Sequence, residues 1–233
     1  NISWSTDPDV WETARAELAD IIEGESNPVP TYPLKNNQWQ QISLPCAPGK
    51  NKTVADIFGD DGLGKYGSNW KIWSYDTSIN QYKEAGINST LKQGLGYWII
   101  QTSGDTKMLT MPQSCSPTPL TQAKTCPSNQ GCYEIKLDTN VNALQWNMIG
   151  YPHTHSESVG DALVTSRSNE CINGCTLKNA ENKGIVHDHL WTYNGTNYIT
   201  LNTDKDLAPW KGYWIPTLKG SDDSDPSWLL PKP

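Results

Sequence analysis

The stretch Gly96-Tyr97-Trp98-Ile99 occurs twice in the chain, the second time as Gly212-Tyr213-Trp214-Ile215. An earlier segment is repeated in the same order, with Gln-Trp-Gln-Gln-Ile-Ser-Leu-Pro at residues 38–45 and Gln-Trp-Asn-Met-Ile-Gly-Tyr-Pro at residues 145–152. These segments are short, rich in Trp, Tyr and Ile, and bounded by Gly, Pro or Asn, which is typical of β-strands. Their recurrence in a fixed order predicts two copies of one β module.

A third match joins Ile72-Trp73-Ser74-Tyr75 to Leu190-Trp191-Thr192-Tyr193 and shows where the copies differ in length. The spacing before Trp191 is about ten residues longer than the spacing before Trp73, so the second copy carries an insertion there. Asn194-Gly195 predicts a hairpin turn after the third segment. Short helices are predicted after the first segment of each copy, at residues 54–58 and 159–163.

We therefore predict a mainly β fold, made of two tandem Trp-rich β modules with short helices and preceded by one N-terminal amphipathic helix. Thr6-Asp7-Pro8-Asp9 is a helix start, and apolar residues follow it at helical spacing. The predicted organisation is the helix and its lead-in at 1–30, the first module at 31–111, a linker containing Pro and Cys at 112–140, and the second module with its C-terminal tail at 141–233.

Composition excludes several classes of function. Lys and Arg number 18 against 25 Asp and Glu, for a net charge of −7, and no basic stripe is present, so we expect no nucleic-acid partner. No apolar run approaches the roughly 20 residues that a membrane span requires. Asn1 is interpreted as a processed N-terminus. The chain has 11 Trp and 10 Tyr but one Phe, which favours half-buried aromatic surfaces over a large oily core.

Six cysteines at short spacings favour disulfides and an oxidising compartment, because the chain lacks the Cys-x-x-Cys pairs of zinc sites. The preferred pairing is Cys126 with Cys132 and Cys171 with Cys175, which leaves Cys46 with Cys115. Spacing alone leaves other connectivities open. The modules themselves, over about residues 37–103 and 144–219, resemble Trp-rich repeats of bacterial secreted and surface proteins. That resemblance implies a secreted or cell-surface location and an association with the outer cell surface.

All four histidines occur in two His-x-His pairs, His153-Thr-His155 and His187-Asp-His189, and both pairs lie in the second copy. Residues i and i+2 of an extended segment point to the same face, so each pair presents two imidazoles together. Two such pairs supply three or four nitrogen ligands, which suits Zn(II), Cu(II) or Cu(I). We predict a metal site with His153, His187 and His189 as main ligands and His155 as a fourth ligand or a partner of the others.

The repeat provides an internal control for this prediction. Aligned on the shared tryptophans, His187 and His189 correspond to Asn69 and Lys71 of the first copy. Aligned on the shared prolines, the other pair corresponds to Cys46 and Pro48. Histidine is therefore not a requirement of the module, and its presence in one copy indicates an added function.

His187-Asp-His189, with a histidine from a distant segment and many tryptophans in an acidic chain, resembles the secreted or surface-associated copper-binding proteins of methane-oxidising bacteria. In that family, imidazoles hold Cu(I) with the help of a kynurenine made by oxidation of a tryptophan. The family's modified Trp lies two residues before a ligand His, where this chain has Tyr151. This departure puts the modification in doubt, and the nearest Trp on the same face is Trp191, two residues after His189, which is the candidate for the role. It implies copper as the cofactor, with zinc as the second choice.

Three alternatives remain open from the sequence. A zinc hydrolase needs a base such as Glu157 or Asp188, but the helical His-Glu-x-x-His pattern and other catalytic motifs are missing, so we predict no enzyme activity. A surface adhesion or carbohydrate-binding module without a metal role would use the exposed aromatic residues. Calcium at Asp60-Asp61 or at 222–225 is a further possibility, although neither stretch has the spacing of an EF-hand. The prediction is an extracytoplasmic protein that captures or buffers copper.

Overall fold

The computed structural model describes residues 29–50, 52–113, 115–122, 126, 130–167, 171–218 and 226–233. The predicted N-terminal helix and the acidic stretch at 221–225 lie outside these residues. Within them the chain is mainly β, with short helices and several antiparallel sheets, as the sequence predicts. No helix in this part of the chain has the length and apolar character needed to cross a membrane.

The first module contains six strands and one helix: β1 (Tyr32–Leu34), β2 (Gln40–Ile42), α1 (Val54–Phe58), β3 (Trp70–Asp76), β4 (Gln81–Glu84), β5 (Tyr97–Gln101) and β6 (Lys107–Leu109). Its main sheet is antiparallel and has the order β2-β5-β3-β4. Strands β1 and β6 pair with each other outside that sheet.

The second module contains ten described strands, a single-turn 3₁₀ helix and one α-helix: β7 (Cys132–Lys136), β8 (Gln145–Gly150), β9 (Glu157–Ser158), the 3₁₀ turn (Val159–Asp161), β10 (Leu163–Thr165), β11 (Cys175–Thr176), α2 (Leu177–Asn182), β12 (Leu190–Tyr193), β13 (Tyr198–Leu201), β14 (Asp206–Leu207), β15 (Gly212–Thr217) and β16 (Ser227–Pro231). Its main sheet has the order β8-β15-β12-β13. A second sheet has the order β11-β10-β16-β7, and β9 pairs with β14.

The two main sheets have the same topology, because β2, β3, β4 and β5 occupy the places of β8, β12, β13 and β15. The outer pairs also correspond, since β1 with β6 in the first module matches β7 with β16 in the second. Strand β7 falls inside the stretch predicted as a linker and pairs with β16 along its whole length. The second module adds β10, β11 and α2, which lie on either side of the inserted loop that contains Cys171 and Cys175.

One predicted helix forms as a helix and the other does not. In α1, Thr53 caps the first turn by accepting a hydrogen bond from the Asp56 amide, and the Asp56 carboxylate accepts one from the Thr53 amide. In the second module only the turn Val159–Asp161 is helical. The helix predicted to reach residue 163 was wrong there, because Leu163 pairs with Thr176 on one side and Leu229 on the other.

The modules contact each other through reciprocal backbone bridges. Ile42 of the first module bridges to Lys211 of the second, and the equivalent Ile149 bridges to Leu95 of the first. The amide of Ser43 donates to the Trp210 carbonyl at 2.8 Å, and the amide of Gly150 donates to the Gly94 carbonyl at 2.9 Å. The end of β2 therefore bonds to the loop before β15, and the end of the equivalent β8 bonds to the loop before β5.

This close approach explains the glycine at the start of each Gly-Tyr-Trp-Ile repeat. A Cβ on Gly96 would lie 2.7 Å from the Ile149 carbonyl oxygen, and one on Gly212 would lie 2.9 Å from the Ile42 carbonyl oxygen. Both oxygens belong to the opposite module. Only glycine lets the two backbones come so near.

The two halves of the interface differ at one position. Trp210 has φ of 65° and is 1% exposed, and its ring lies in the hydrophobic core of the first module. Its indole nitrogen donates to the carbonyl of Pro30. The equivalent residue of the first module is Gly94, whose φ is 76° and whose Cβ position lies against Tyr133. The second module thus completes the core of the first.

The preferred cysteine pairing is confirmed by three disulfides: Cys46–Cys115, Cys126–Cys132 and Cys171–Cys175. No free cysteine is found among the described residues. The first bond spans the first module and the third closes the inserted loop. Three disulfides are typical of a protein from an oxidising environment outside the cytoplasm.

Candidate metal site and aromatic face

The segment that carries His187 and His189 is fixed beside the main sheet of the second module. After α2, the Ile185 amide donates to the Ala180 carbonyl at 2.9 Å, which closes the end of the helix. Val186 forms a bridge with Thr217, and the His187 amide donates to the Pro216 carbonyl at 3.3 Å. The two histidines therefore lie in the short segment between the Val186 bridge and the start of β12, and this segment bends at residues 188–189.

Glu181 of α2 joins the two histidines to form a small cluster. One donor atom from each of Glu181, His187 and His189 lies within 4.8 Å of the others. The two imidazole centroids are 5.4 Å apart, and the ring planes differ by 36°. All three residues are half-buried, so the cluster is open to solvent on one side.

Both imidazoles are anchored through the same ring atom. His187 Nδ1 lies 2.7 Å from Glu181 Oε1, and His189 Nδ1 lies 2.7 Å from Asp188 Oδ1. A carboxylate accepts a hydrogen bond, so Nδ1 of each ring is the donor, which leaves Nε2 as the ring nitrogen that can carry the lone pair for a metal. The bond to His189 is also the main reason that the pKa of Asp188 lies below its usual range. A carboxylate on the far nitrogen is the usual partner of a metal-binding histidine.

Trp191, the aromatic residue selected from the sequence, lies against both histidines. Its ring centroid is 4.1 Å from that of His189 and 5.8 Å from that of His187. The contacts among the three rings place the side chains of residues 187, 189 and 191 on the same side of the segment that leads into β12. The indole thus forms one wall of the cluster.

The first module has a different set of contacts at the equivalent place. Lys71 takes the position of His189, and its ammonium forms an ion pair with Glu84 at 3.1 Å. Asn69 takes the position of His187, and its side-chain oxygen accepts a hydrogen bond from the Lys65 amide at 2.9 Å. In the first module these two positions therefore make an ion pair and a turn hydrogen bond, so the fold does not require histidine there.

The structure does not bring His153 and His155 to this cluster. Within the described residues, no group of three or more candidate metal ligands contains either of them. Pro216, beside His187, pairs with Trp146 near the start of β8, whereas His153 follows the end of that strand. A strand of six residues is about 17–20 Å long, which separates the two pairs. A centre shared by all four histidines does not form.

His153 and His155 instead line a cavity of about 940 Å³ beside the Cys46–Cys115 disulfide. His153 is 6% exposed, and burial lowers its pKa to about 4. Glu157 lines the same cavity, where burial raises its pKa to about 8. His155 is exposed. His153 and Glu157 are therefore both neutral near pH 6, because burial disfavours the charged form of each side chain.

The calcium prediction at Asp60-Asp61 receives no support from the local geometry. Asp61 Oδ1 accepts hydrogen bonds from the amide and the hydroxyl of Thr110, at 3.0 and 2.7 Å. Burial raises the pKa of Asp61 to about 6, which disfavours the charged form that a calcium ligand needs. The second stretch, at 222–225, lies outside the described residues.

An aromatic face runs across both modules next to the cluster. It consists of five pairs of residues that occupy equivalent strand positions in the two sheets: Trp39 and Trp146, Trp73 and Trp191, Tyr75 and Tyr193, Tyr82 and Tyr198, Trp98 and Trp214. Within each module the distances repeat, since Trp39 lies 4.8 Å from Trp73 and Trp146 lies 5.2 Å from Trp191.

The aromatic face is also continuous between the modules. The Trp98 centroid lies 5.2 Å from that of Tyr193, and the equivalent Trp214 lies 4.8 Å from Tyr75. Trp98 and Trp214 are buried together with Met148. Edge-to-face ring contacts of this kind stabilise the interface beyond the burial of their area. Several members of the face remain half exposed, so it is also accessible to a ligand.

A cavity of about 440 Å³ opens on this face and is lined by Trp39, Trp73, Tyr82, Trp98 and Tyr193. Four of these residues belong to the first module and Tyr193 belongs to the second. The cavity is therefore a product of the interface, and the sequence alone did not indicate it.

Glu181 is a residue of the candidate metal site that the sequence did not predict. It lies six residues before His187 in α2, and this spacing has no recognised ligand pattern. The only available signal was the position of the insertion directly before the histidines. Comparisons of the chain with protein-family models, with curated proteins and with solved structures found no match.

Proposed function

We propose that this chain is an extracytoplasmic copper-binding protein that holds Cu(I) at His187 and His189 and captures or buffers the metal without turnover. The observation that carries the proposal is the anchoring of both imidazoles by carboxylates at Nδ1, 2.7 Å away in each case. This arrangement fixes the orientation of the rings and makes Nε2 of each the metal ligand.

A site made of the two imidazoles alone favours Cu(I) over zinc, whereas Glu181 as a third ligand would give the His₂Glu set of catalytic zinc. A structural zinc site uses four protein ligands, and catalytic zinc uses three with a water. Cu(I) accepts two or three imidazoles, and two metal–nitrogen bonds of about 2 Å span about 4 Å between donor atoms. The two imidazole centroids are 5.4 Å apart, which brings both rings within reach of one ion. Glu181 then acts through His187 rather than as an oxygen ligand, which suits a soft cation.

The difference between the modules supports a function that was added to the fold. Asn69 and Lys71 satisfy the equivalent positions with ordinary hydrogen bonds and an ion pair. Replacement of both by histidine, together with a helix that supplies Glu181, serves no structural need of the sheet.

Trp191 and the resemblance to copper-binding proteins of methane-oxidising bacteria extend the proposal. The ring contact at 4.1 Å places Trp191 beside the proposed copper, where dioxygen could cleave its indole ring to N-formylkynurenine, from which water releases formate to leave kynurenine. The mass of the peptide that contains Trp191, from protein isolated from its native source, checks this point. The disulfides and the resemblance of the repeats support a secreted or surface-associated location.

The test is a competition titration in which the purified protein, loaded with Cu(I), competes with a chromogenic Cu(I) chelator for the metal. We expect one Cu(I) per chain, and at least a tenfold loss of affinity in His187→Ala and in His189→Ala, because each change removes half of the donor pair. Glu181→Gln removes the carboxylate but keeps the size of the side chain, and it is expected to weaken binding by about tenfold.

His155→Ala is the matched control, because His155 belongs to the other His-x-His pair, is exposed and is separated from the cluster by β8. It is expected to bind copper as the unaltered protein does. Equal affinity in all four variants, or loss of copper from His155→Ala alone, would refute the proposed site. Preference for Zn(II) over Cu(I) at the same histidines would refute copper as the metal.

A further inference from the structure

The cavity of the aromatic face has a shape that a flat sugar-binding surface does not have. Its walls meet at steep angles, 62° between Trp39 and Trp73, 85° between Trp39 and Trp98, and 69° between Trp98 and Tyr193. A polysaccharide that stacks on aromatic residues needs rings that share one plane. Rings set at such angles surround a compact group on several sides.

The chemistry of the lining is also narrow. All five residues are aromatic, and the only polar atoms of their side chains are the indole nitrogens and the phenol oxygens. A sugar carries a hydroxyl on most carbons, and its binding sites supply a matching set of hydrogen-bonding groups. The cavity offers few such groups, so its ligand must present a surface that needs no hydrogen bonds.

The charge of the ligand follows from the ring faces. Aromatic rings present negative electrostatic potential at their faces and attract cations placed there. The Trp73 ring already attracts a cation, because the Lys71 ammonium lies 5.6 Å from its centroid. The same ammonium is also paired with Glu84. The chain as a whole has a net charge of −7, which favours a cationic ligand over an anionic one.

We propose that this cavity binds the quaternary ammonium head of a small organic cation, such as a trimethylammonium group. Three methyl groups around a positive nitrogen form a compact, apolar, cationic surface without hydrogen-bond donors, which is the surface that several ring faces together complement. The volume of about 440 Å³ admits such a head together with a short chain attached to it. This site is separate from the proposed copper site and needs no metal.

The test uses choline as the probe and its neutral counterpart, 3,3-dimethylbutan-1-ol, as the comparison. The two molecules have the same shape, so a difference in affinity reports the charge. Tryptophan fluorescence and calorimetry of the whole chain are expected to show choline binding at least about tenfold tighter than the neutral alcohol, within the range of desolvated cation–π contacts.

Two matched variants locate the site. Trp39 lines the cavity and is 40% exposed, whereas its equivalent Trp146 is 38% exposed and does not line it. Trp39→Ala is expected to weaken choline binding by about tenfold, and Trp146→Ala is expected to leave it unchanged. His187→Ala is expected to retain choline binding, so failure of the copper proposal and failure of this one are distinguishable.

Several results would overturn the inference. They are equal affinity for choline and the neutral alcohol, no choline binding at millimolar concentration, and an equal loss in Trp39→Ala and Trp146→Ala. Tighter binding of a neutral oligosaccharide than of choline would also overturn it and would support a carbohydrate-binding face instead.

Discussion

The two modules share a strand order and five pairs of aromatic residues, yet they differ at the positions where β3 and β12 begin. There the first module has Asn69 and Lys71, and the second has His187 and His189. The shared residues make the sheet and the interface, because they recur with nearly the same ring distances in both copies. The residues that differ are not needed for the sheet or the interface, and they are the ones from which we infer the copper site.

A second difference concerns the interface and has a structural meaning. Trp210 of the second module fills the core of the first, and its equivalent Gly94 lies against the surface of β7. The backbone bridges between the modules are reciprocal, but only the second module contributes a large side chain to the core of the other. We expect the first module to depend on the second for stability more than the reverse.

The largest expected effect follows from this one-sided contribution. Trp210→Ala empties a site that is 1% exposed, and it should lower the free energy of unfolding by about 3–5 kcal/mol. Chemical denaturation measured at neutral pH checks the value. Trp146→Ala, which removes a half-exposed indole, is the control and should cost about 1 kcal/mol. Similar losses in the two variants would contradict the dependence of the first module on Trp210.

A smaller effect tests the close approach of the backbones. A Cβ on Gly150 would lie 2.3 Å from the Leu95 carbonyl oxygen, so Gly150→Ala must push the modules apart. We expect a loss of about 2–3 kcal/mol in denaturation experiments, in the range of overpacking. Gly86→Ala is the matched control, because its nearest neighbour would be the Ser89 hydroxyl at 3.5 Å. A change in Gly150→Ala no larger than in this control would show that the interface is not tight.

The smallest effect concerns pH and the other His-x-His pair. Glu157 has a pKa of about 8 in the folded chain against an ordinary value of 4.5, so between these values the folded state binds more protons than the unfolded state. Stability from this group is complete below pH 4.5 and is lost as the pH rises to about 8. Because Glu157 is partly exposed and solvent screens it, we expect this loss in the free energy of unfolding to be about 1–2 kcal/mol. The loss should be absent in Glu157→Gln, which does not titrate.

His153 acts in the opposite direction and gives that experiment an internal check. Its pKa falls from 6.5 to about 4 on folding, so the unfolded state binds the additional proton as the pH drops through this range. Stability from His153 is therefore lost on acidification from pH 6.5 towards 4. Unfolding measured from pH 4 to 8 should show a maximum near pH 5–6 in the unaltered chain. A maximum that stays in place in Glu157→Gln would contradict the assignment.

Much of the fold could be predicted because the repeat gives two independent readings of one pattern. Trp73 and Trp191, in matching sequence contexts, were enough to predict equivalent strands, and the cysteine spacing was enough to prefer the observed disulfides. The helix expected after Val159 failed because Leu163 pairs with two strands that are distant in sequence. Such long-range pairing is not visible in local propensity.

The site was predictable only in part, for the same reason. The close spacing of His187 and His189 correctly predicted that their imidazoles lie side by side, although the chain bends between them instead of running straight. Glu181 comes from α2, which follows the inserted loop, and its contact with His187 depends on the return of the chain beside β15. The separation of His153 from the cluster depends on the length of β8 and on which end each pair occupies. These are properties of the assembled sheet.

The most direct test of the account is X-ray absorption at the copper edge of the Cu(I)-loaded chain and of its His189→Ala variant. We predict two imidazole nitrogens bound to copper in the unaltered chain, and one of them replaced by a solvent or buffer ligand in the variant. A spectrum with sulfur ligands, or one that is identical in the two proteins, would contradict the claim that His187 and His189 form the metal site of the second module.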